Sequence, residues 1–234
     1  MYSRTLFLPR RIVLIVWIAA TCGAALAGGA DELEATFARM DRASATFKGL
    51  SADVTRASHN ALLNEDDTAS GTMAVRRTRS HELRALVDIL RPDAKKVLLT
   101  GHKVQMYFPK TNTVQMIDLD KKGSKMIDQF LLLGFDSSSG EIRSAYKVEL
   151  AGAETVAGQK TVRLVLTPKA QDVLARLTKV ELWISDTLGI AVQQKFWEPD
   201  GDYELATYTN VKLNPVPQEL KWDIPRNATP EKLN

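Results

Sequence analysis

The stretch "KKVLLTGHKVQMYFPKTNTVQMIDLD", residues 95–120, carries the clearest strand pattern in the chain. Apolar and polar residues alternate along it, and turn signals interrupt the alternation at Thr100-Gly101 and around Pro109 and Asn112. Alternation with a period of two places successive side chains on opposite faces of a strand, and Gly or Pro–Asn runs favour tight turns. The stretch therefore predicts three strands joined by short turns.

The same rhythm continues on both sides of this stretch. Strand-like segments recur with turn signals about every 8–12 residues, which is typical of an antiparallel sheet or barrel. The segments are "GLSADVTRAS", "TASGTMAVRR", "HELRALVDIL", "AYKVELAG", "KTVRLVLTP", "KVELWISD", "IAVQQKFWEP", "DYELATYTNVKLN" and a closing "LKWDIP". Together with the first stretch they predict about ten or eleven strands in one sheet.

Helical patterns flank and interrupt the strands. Residues 31–47 carry apolar side chains at helical spacing after a plausible cap at Asp31. A second short helix is predicted at "SKMIDQFLLLGF", and "AQDVLARL" is a short helix or an irregular link. A curved sheet needs its concave face covered, and these helices are available for it. The predicted fold class is mainly β with helices (α+β): an incomplete, half-open antiparallel β-barrel under a lid of short helices.

The first 27 residues have the layout of an export signal. "MYSRTLFLPRR" is basic, residues 12–27 are apolar, and Ala25-Leu26-Ala27 is a small-x-small cleavage site. The run is shorter than is typical of a membrane-spanning helix. Lipidation at Cys22 is disfavoured because Thr21 precedes it, and a twin-arginine signal at Arg10-Arg11 is disfavoured by the hydrophobic run behind it. We expect a cleaved Sec signal at 1–27.

Removing that segment changes the charge of the chain. The full sequence has 31 Lys and Arg against 28 Asp and Glu, and the segment contains Arg4, Arg10 and Arg11 but no acid. The mature chain is therefore formally neutral, and nucleic acid is not an expected partner. Its single cysteine, Cys22, is removed as well, so no disulfide supports the fold. The sequence predicts one periplasmic domain at 28–234, supported by its hydrophobic core.

Known catalytic and metal-binding patterns are missing from the sequence. It has no Gly-x-Ser-x-Gly elbow, and His59, His81 and His102 lack metal-binding spacing. The segment "DLDKKGSKMIDQ" begins like a calcium loop, but Lys122 and Gln129 stand where ligands belong. We therefore expect neither an enzyme nor a metal site, and no cofactor.

The sequence does contain an adaptable apolar surface. Methionines at 73, 106 and 116 alternate with other apolar residues on the predicted strands, and methionine is common at promiscuous apolar surfaces. One reading is an ordinary packed core; the other is a cavity for acyl chains. The candidate cavity residues are Phe37, Met40, Met73, Val75, Leu83, Val87, Met106, Phe108, Val114, Met116, Met126, Phe130 and Leu131.

Several of these stretches, in this order, resemble one bacterial family. They are the leading helix with "FKGLSADVTR", then "GTMAVRR", "VLLTGHKVQMYFPKTNTV", "VRLVLTPKA" and the closing "LKWDIP". The mature chain is similar in these stretches to the LolA/LolB superfamily of lipoprotein-sorting proteins. The resemblance implies a half-open barrel with a helical lid. It also implies a carrier that takes acylated lipoproteins or lipids from an inner-membrane ABC exporter to an outer-membrane acceptor, as a monomer.

One residue role is implied by the resemblance. The alternation that puts Met73 and Val75 on one face of their strand also puts Arg77 there. In the family, an arginine at the matching position holds the lid closed through lid backbone, so Arg77 is the candidate latch. Where the family has a proline after this arginine, the chain has Thr78, and Leu83 and Ala85 replace aromatic residues. The predicted lining is thus more aliphatic in this chain than in the family.

Three functional readings remain open from the sequence. The first is a periplasmic carrier of lipoproteins or lipids. The second is a lipid- or protein-sensing regulatory domain of the RseB kind. The third is an enzyme or a purely structural domain, and the missing nucleophile–base arrangement argues against the enzyme.

Overall fold

The structure is a computed structural model, and it describes residues 24–78, 83–120, 123, 131–214 and 220–233. The helices in this part of the chain are α1 (Ala24–Ala45), α2 (Ser139–Ala145) and α3 (Gln171–Leu174). The strands are β1 (Gly49–Asn60), β2 (Glu65–Arg77), β3 (Leu83–Arg91), β4 (Lys95–Thr100), β5 (Lys103–Phe108), β6 (Thr113–Asp118), β7 (Tyr146–Val156), β8 (Gln159–Pro168), β9 (Lys179–Ser185), β10 (Ala191–Trp197), β11 (Tyr203–Leu213) and β12 (Thr229–Leu233).

All these strands form one 12-stranded sheet in the order β12-β6-β5-β4-β3-β2-β1-β11-β10-β9-β8-β7. Neighbouring strands are antiparallel, except that β12 lies parallel to β6. The sheet ends at β12 and β7, which do not pair with each other, so the barrel is open. This confirms the predicted fold class.

The core lies between the concave face of the sheet and α1. The alternation within each strand gives the sheet one apolar face, and α1 presents Phe37, Met40 and Ala43 to it, with Phe47 packing beside them just after the helix ends. Phe37 and Met40 are each only 2% exposed. Strands β1, β2, β8 and β9 contribute the most deeply buried side chains, among them Leu50, Val75, Leu164, Leu166, Val180, Leu182 and Ile184. Burying them stabilises the fold by about 1.5–3 kcal/mol per large side chain.

A close contact fixes α1 on the sheet. Gly189, in the turn between β9 and β10, adopts a left-handed conformation with φ +68°. A Cβ at this position would lie 2.6 Å from the carbonyl oxygen of Arg39. Glycine therefore allows the helix backbone to approach the turn, and Arg39 also forms an ion pair with Asp186 at 3.2 Å.

The convex face carries a second, more polar layer. Trp183 and Trp197 donate their indole N–H groups to Glu154 and Glu181, each at 2.8 Å. Lys195 lies over the Trp197 ring, 3.9 Å from its centroid. These pairs satisfy the polar ends of large aromatic side chains and stabilise the outer surface of the sheet.

The structure differs from the sequence-based prediction in several elements. α1 begins at Ala24 rather than at Asp31. The predicted closing strand "LKWDIP" is not a strand in its described residues, 220–225, and the last strand is β12 instead. α2 was not predicted, although Ser138 and Glu141 form a capping box. Most of the predicted helix "SKMIDQFLLLGF" lies outside the described residues.

Candidate functional site

A cavity of about 460 Å³ lies between α2, α3 and the sheet. Its volume falls within the ≈300–1,000 Å³ typical of pockets that bury small molecules. Its lining residues come from β2, the segment 132–137, α2, the start of β7, the end of β8 and α3: Arg77, Leu132, Leu133, Asp136, Ser137, Glu141, Ile142, Ser144, Ala145, Tyr146, Pro168, Lys169, Ala170 and Val173.

One side of the cavity is apolar. Ile142 projects from α2 and is 1% exposed, while Tyr146 and Pro168 are directly paired at the adjoining ends of β7 and β8. Burial raises the pKa of the Tyr146 hydroxyl above its ordinary value, at which it is already uncharged near neutral pH. With Leu132 and Leu133, these groups form a wall suited to hydrocarbon.

The other side of the cavity is built around a buried carboxylate. Asp136, whose side chain is 8% exposed, accepts a hydrogen bond from Arg77 Nε and forms an ion pair with it. Its second oxygen accepts a hydrogen bond from the Ser44 hydroxyl of α1 at 3.0 Å. Asp136 therefore joins the end of β2 to α1 and to the segment 132–137.

The segment 132–137 is anchored on the sheet. Leu133 accepts a hydrogen bond from the Gln194 side chain, and Gly134 accepts one from the Ala191 backbone at 2.8 Å. Gly134 has φ +81°, and a Cβ there would lie 2.8 Å from the Ala191 Cβ. Only glycine fits this approach without strain. Phe135 then lies against the Tyr208 ring, with centroids 5.1 Å apart.

α2 is fastened to α1 by polar contacts. Asp41 accepts hydrogen bonds from the backbone N–H of Ser139 at 2.6 Å and from its hydroxyl at 2.7 Å. Arg143 forms an ion pair with Glu34 and lies 4.5 Å above the Phe37 ring. The wall of the cavity formed by α2 is therefore held by α1, and α1 is held by the sheet.

Arg77 lies where the strand alternation predicted it. Met73 and Val75 are buried on the concave face, and Arg77 follows on the same face, opposite Leu83 of β3. Its side chain is 34% exposed and lines the cavity. The Asp136 carboxylate was not identified from the sequence as a partner. Asp136 directly follows the apolar segment "FLLLGF", which belongs to a predicted lid helix. This position in the sequence could have indicated that it contacts a residue near the lid.

The other predicted cavity residues, apart from Val114 and Met116, fall into four groups. Phe37, Met40, Met73, Val75 and Leu83 are buried in the core, and none of them lines the described cavity. Val87, Met106 and Phe108 are half-buried on the concave face. Leu131 is half-buried against the core and precedes the lining residue Leu132. Met126 and Phe130 lie outside the described residues.

The register corrects the predicted face of two residues. Met106 is directly opposite Gln115, while Val114 is opposite Tyr107 and Met116 is opposite Gln105. Directly paired side chains share a face. Val114 and Met116 therefore lie on the convex face of the sheet, whereas Met106 lies on the concave face. The turn between β5 and β6 sets this register, and the alternation within each strand could not reveal it.

Two further properties concern the described part of the chain. Its helices include none that is long and apolar enough to cross a membrane. Among the same residues, no group of three or more His, Cys, Asp or Glu side chains is placed to hold a metal ion.

Comparison with known proteins shows that this chain resembles several solved structures in its fold. No family model matches the chain, and no curated protein matches its sequence. MucB matches with a TM-score of 0.52 and 18% identity, over 82% of this chain and 62% of MucB. LprF from Mycobacterium bovis matches with a TM-score of 0.50 and 15% identity, over 86% of this chain and 99% of LprF. A LolA superfamily protein from Nitrosomonas europaea is a more distant match, with a TM-score of 0.36 and 14% identity, over 79% of this chain and 94% of that one.

Proposed function

We propose that this chain, whose fold is LolA-like as the sequence resemblance predicts, is a periplasmic carrier that binds acyl chains of lipoproteins or of a related lipid. The observation that carries the proposal is the cavity of about 460 Å³ whose lining combines apolar and polar side chains. An acyl chain gains about 0.8 kcal/mol for each methylene removed from water, so a carrier needs an apolar surface that can shield the chain.

Polar groups in the lining suit an amphiphilic ligand. Lys169 lines the cavity, and its ammonium group donates to the backbone carbonyl of Arg143 at 2.6 Å. The serine hydroxyls of Ser137 and Ser144 lie in the same lining. We propose that the acyl chain lies along the Ile142 side and that the polar linkage of the ligand faces these groups.

The periplasmic location rests on the export signal at 1–27 in the sequence. In this proposal the mature domain, 28–234, receives its ligand from an inner-membrane ABC exporter and delivers it to an outer-membrane acceptor. Arg77 acts as a latch that holds the segment 132–137 against β2 through Asp136.

Filling the cavity tests the proposal. Val173 lines the cavity from α3, so Val173→Trp places a bulky ring in the space that an acyl chain needs. We expect binding of palmitate and of a diacyl phospholipid to weaken by at least about tenfold, the equivalent of losing one or two buried methylenes. Displacement of a fluorescent fatty acid gives the affinity, and native mass spectrometry identifies co-purified acyl species.

Ala175→Trp is the matched control, because Ala175 is exposed beside α3 and does not line the cavity. It should bind palmitate like the wild type. If the wild type co-purifies with no acylated species and binds neither palmitate nor phospholipid, the carrier proposal is wrong. Equal affinities in the wild type and Val173→Trp would show that the ligand lies elsewhere.

A second candidate function is a lipid- or protein-sensing regulatory domain of the RseB kind, favoured by the likeness to MucB. The chain spans only 62% of the length of MucB, so this likeness covers part of that protein. Release of a lipoprotein from spheroplasts separates the two candidates. A carrier releases the acylated protein from the spheroplasts into the medium. A sensing domain binds lipid but leaves the acylated protein on the spheroplasts.

A further inference from the structure

The two edges of the sheet differ in how they are protected. β12 is short and carries Pro230, which has no backbone N–H to donate to another strand. β7 is longer, and no described strand pairs with its outer side. Its residues are exposed or half-buried up to Val156 at its end. An edge of this kind is a template for a further strand.

The side chains of β7 alternate regularly over residues 146–150. Tyr146, Val148 and Leu150 are half-buried, and their partners on β8 place them on the concave face. Lys147 and Glu149 point to the convex side and are 73% and 59% exposed. They form an ion pair within the strand at 2.9 Å. Beyond Leu150 the register with β8 shifts, so the regular edge ends there.

This pattern is complementary to itself. When two copies of β7 run antiparallel about a two-fold axis at Val148, Lys147 of each copy lies opposite Glu149 of the other. Tyr146 lies opposite Leu150, and Val148 lies opposite its own copy. Opposite charges directly across two strands stabilise their pairing, and Tyr146 and Leu150 would remove apolar surface from water against each other. A two-fold dimer needs such self-complementarity.

Neighbouring registers lack this match. An axis at Lys147 or at Glu149 brings two like charges directly together, which is destabilising. An axis between two residues would place concave side chains against convex ones. A shift of the axis to Leu150 extends the pairing into the irregular part of β7. The charges and the bulge therefore select the axis at Val148.

We propose that β7 is a self-association edge, through which two copies of this chain pair antiparallel over residues 146–150 about Val148. This differs from the monomer implied by the sequence resemblance, and it does not depend on the identity of the ligand. Because Tyr146 also lines the cavity, the pairing brings the two cavities to the dimer interface. A single strand buries less than a standard interface, so we expect a weak dimer.

Charge reversal tests the pairing. Residues 147 and 149 face each other in two symmetry-related pairs. Each single variant, Lys147→Glu or Glu149→Lys, therefore puts like charges together in both pairs of the dimer. We expect each to raise the dimer dissociation constant by about tenfold, measured by sedimentation over a wide range of protein concentration. The double variant Lys147→Glu/Glu149→Lys restores opposite charges, and its dissociation constant should return to within about threefold of the wild-type value.

Two controls change the net charge equally at exposed sites away from β7: Lys110→Glu and Glu65→Lys. They should dimerise like the wild type. The proposal is overturned if the wild type remains monomeric at its highest soluble concentration. It is also overturned if the double variant Lys147→Glu/Glu149→Lys dimerises as weakly as the single variants. Single reversals that match their controls would overturn it as well, because the charges would then not face each other.

Discussion

Asp136 is the residue on which the contacts around the cavity converge. Its carboxylate is 8% exposed, yet it is paired with Arg77 and accepts a hydrogen bond from Ser44. A buried carboxylate is costly without such partners, so the pair specifies how the segment 132–137 sits against β2 and α1. Among the described residues, this contact of Arg77 joins two side chains. Opening the cavity along this side therefore requires an ion pair to separate.

Arg77→Leu tests this latch. We expect the free energy of unfolding to fall by about 2 kcal/mol, because Asp136 is left buried without its cation. The variant should still load lipoprotein but deliver it poorly to outer-membrane vesicles. Urea denaturation measures the first effect and transfer of a labelled lipoprotein measures the second.

Two further variants make the test specific. Arg77→Lys keeps the charge and should recover part of both properties. Adding Asp136→Leu to Arg77→Leu should cost less stability than the sum of the two single changes, because no unpaired charge remains. Normal transfer by Arg77→Leu would contradict the latch while leaving the carrier proposal intact.

At the scale of elements, α2 is the wall of the cavity that depends most on local sequence. It is short, and isolated helices of this length do not persist in water. Ser138 caps it by accepting a hydrogen bond from the Glu141 backbone N–H at 3.2 Å, and Glu141 accepts one in return from the Ser138 backbone at 2.9 Å. The cap and the contacts of Ser139 with Asp41 therefore hold Ile142 at the cavity.

Ser138→Ala removes the hydroxyl half of this capping box. We expect a loss of about 1 kcal/mol in the free energy of unfolding and weaker palmitate binding, since the wall carrying Ile142 becomes less ordered. Ser138→Asp keeps an acceptor at the cap and serves as the control. Thermal unfolding and fatty-acid displacement measure the two effects, and unchanged values for Ser138→Ala would show that α1 alone positions α2.

At the scale of the whole molecule, the open sheet depends on the pairing of β1 with β11. These strands join the half formed by β2–β6 with β12 to the half formed by β7–β10. Glu204 of β11 accepts hydrogen bonds from Arg56 at 2.6 Å and from Ser58 at 2.7 Å, both on β1. Burial disfavours the Glu204 anion, but the hydrogen bonds from Arg56 and Ser58 and the nearby positive charge outweigh it and lower the pKa.

The lowered pKa of Glu204 predicts a pH dependence of stability. The ionised form is favoured in the folded state, so its contribution is complete above the ordinary Glu pKa of about 4.3 and is lost as pH falls through the folded value. Arg56 and Glu204 are 44% and 35% exposed, so we expect a contribution below about 1 kcal/mol.

Urea denaturation of the wild type and Glu204→Gln at a series of pH values measures this contribution. The difference in stability between them should be constant between about pH 6 and 8 and should shrink in acid. A difference that stays constant down to acid unfolding would contradict the assignment.

The sequence determined those features of the protein that depend on local patterns. Alternation of apolar residues predicted the strands, the concave face of β2 and the position of Arg77 on it, because a strand repeats every two residues. Helical spacing likewise predicted that Phe37 and Met40 of α1 cover the sheet. The capping box at Ser138 was equally local and would have indicated α2.

The tertiary structure alone decided which residues meet across the molecule. The register between β5 and β6 moved Val114 and Met116 to the convex face, since a strand pattern does not specify its partner's alignment. The cavity is lined largely from α2, α3 and the ends of β7 and β8, while most of the predicted lining packs as core. The Arg77–Asp136 pair joins positions distant in sequence, and only the folding of the sheet around α1 brings them together.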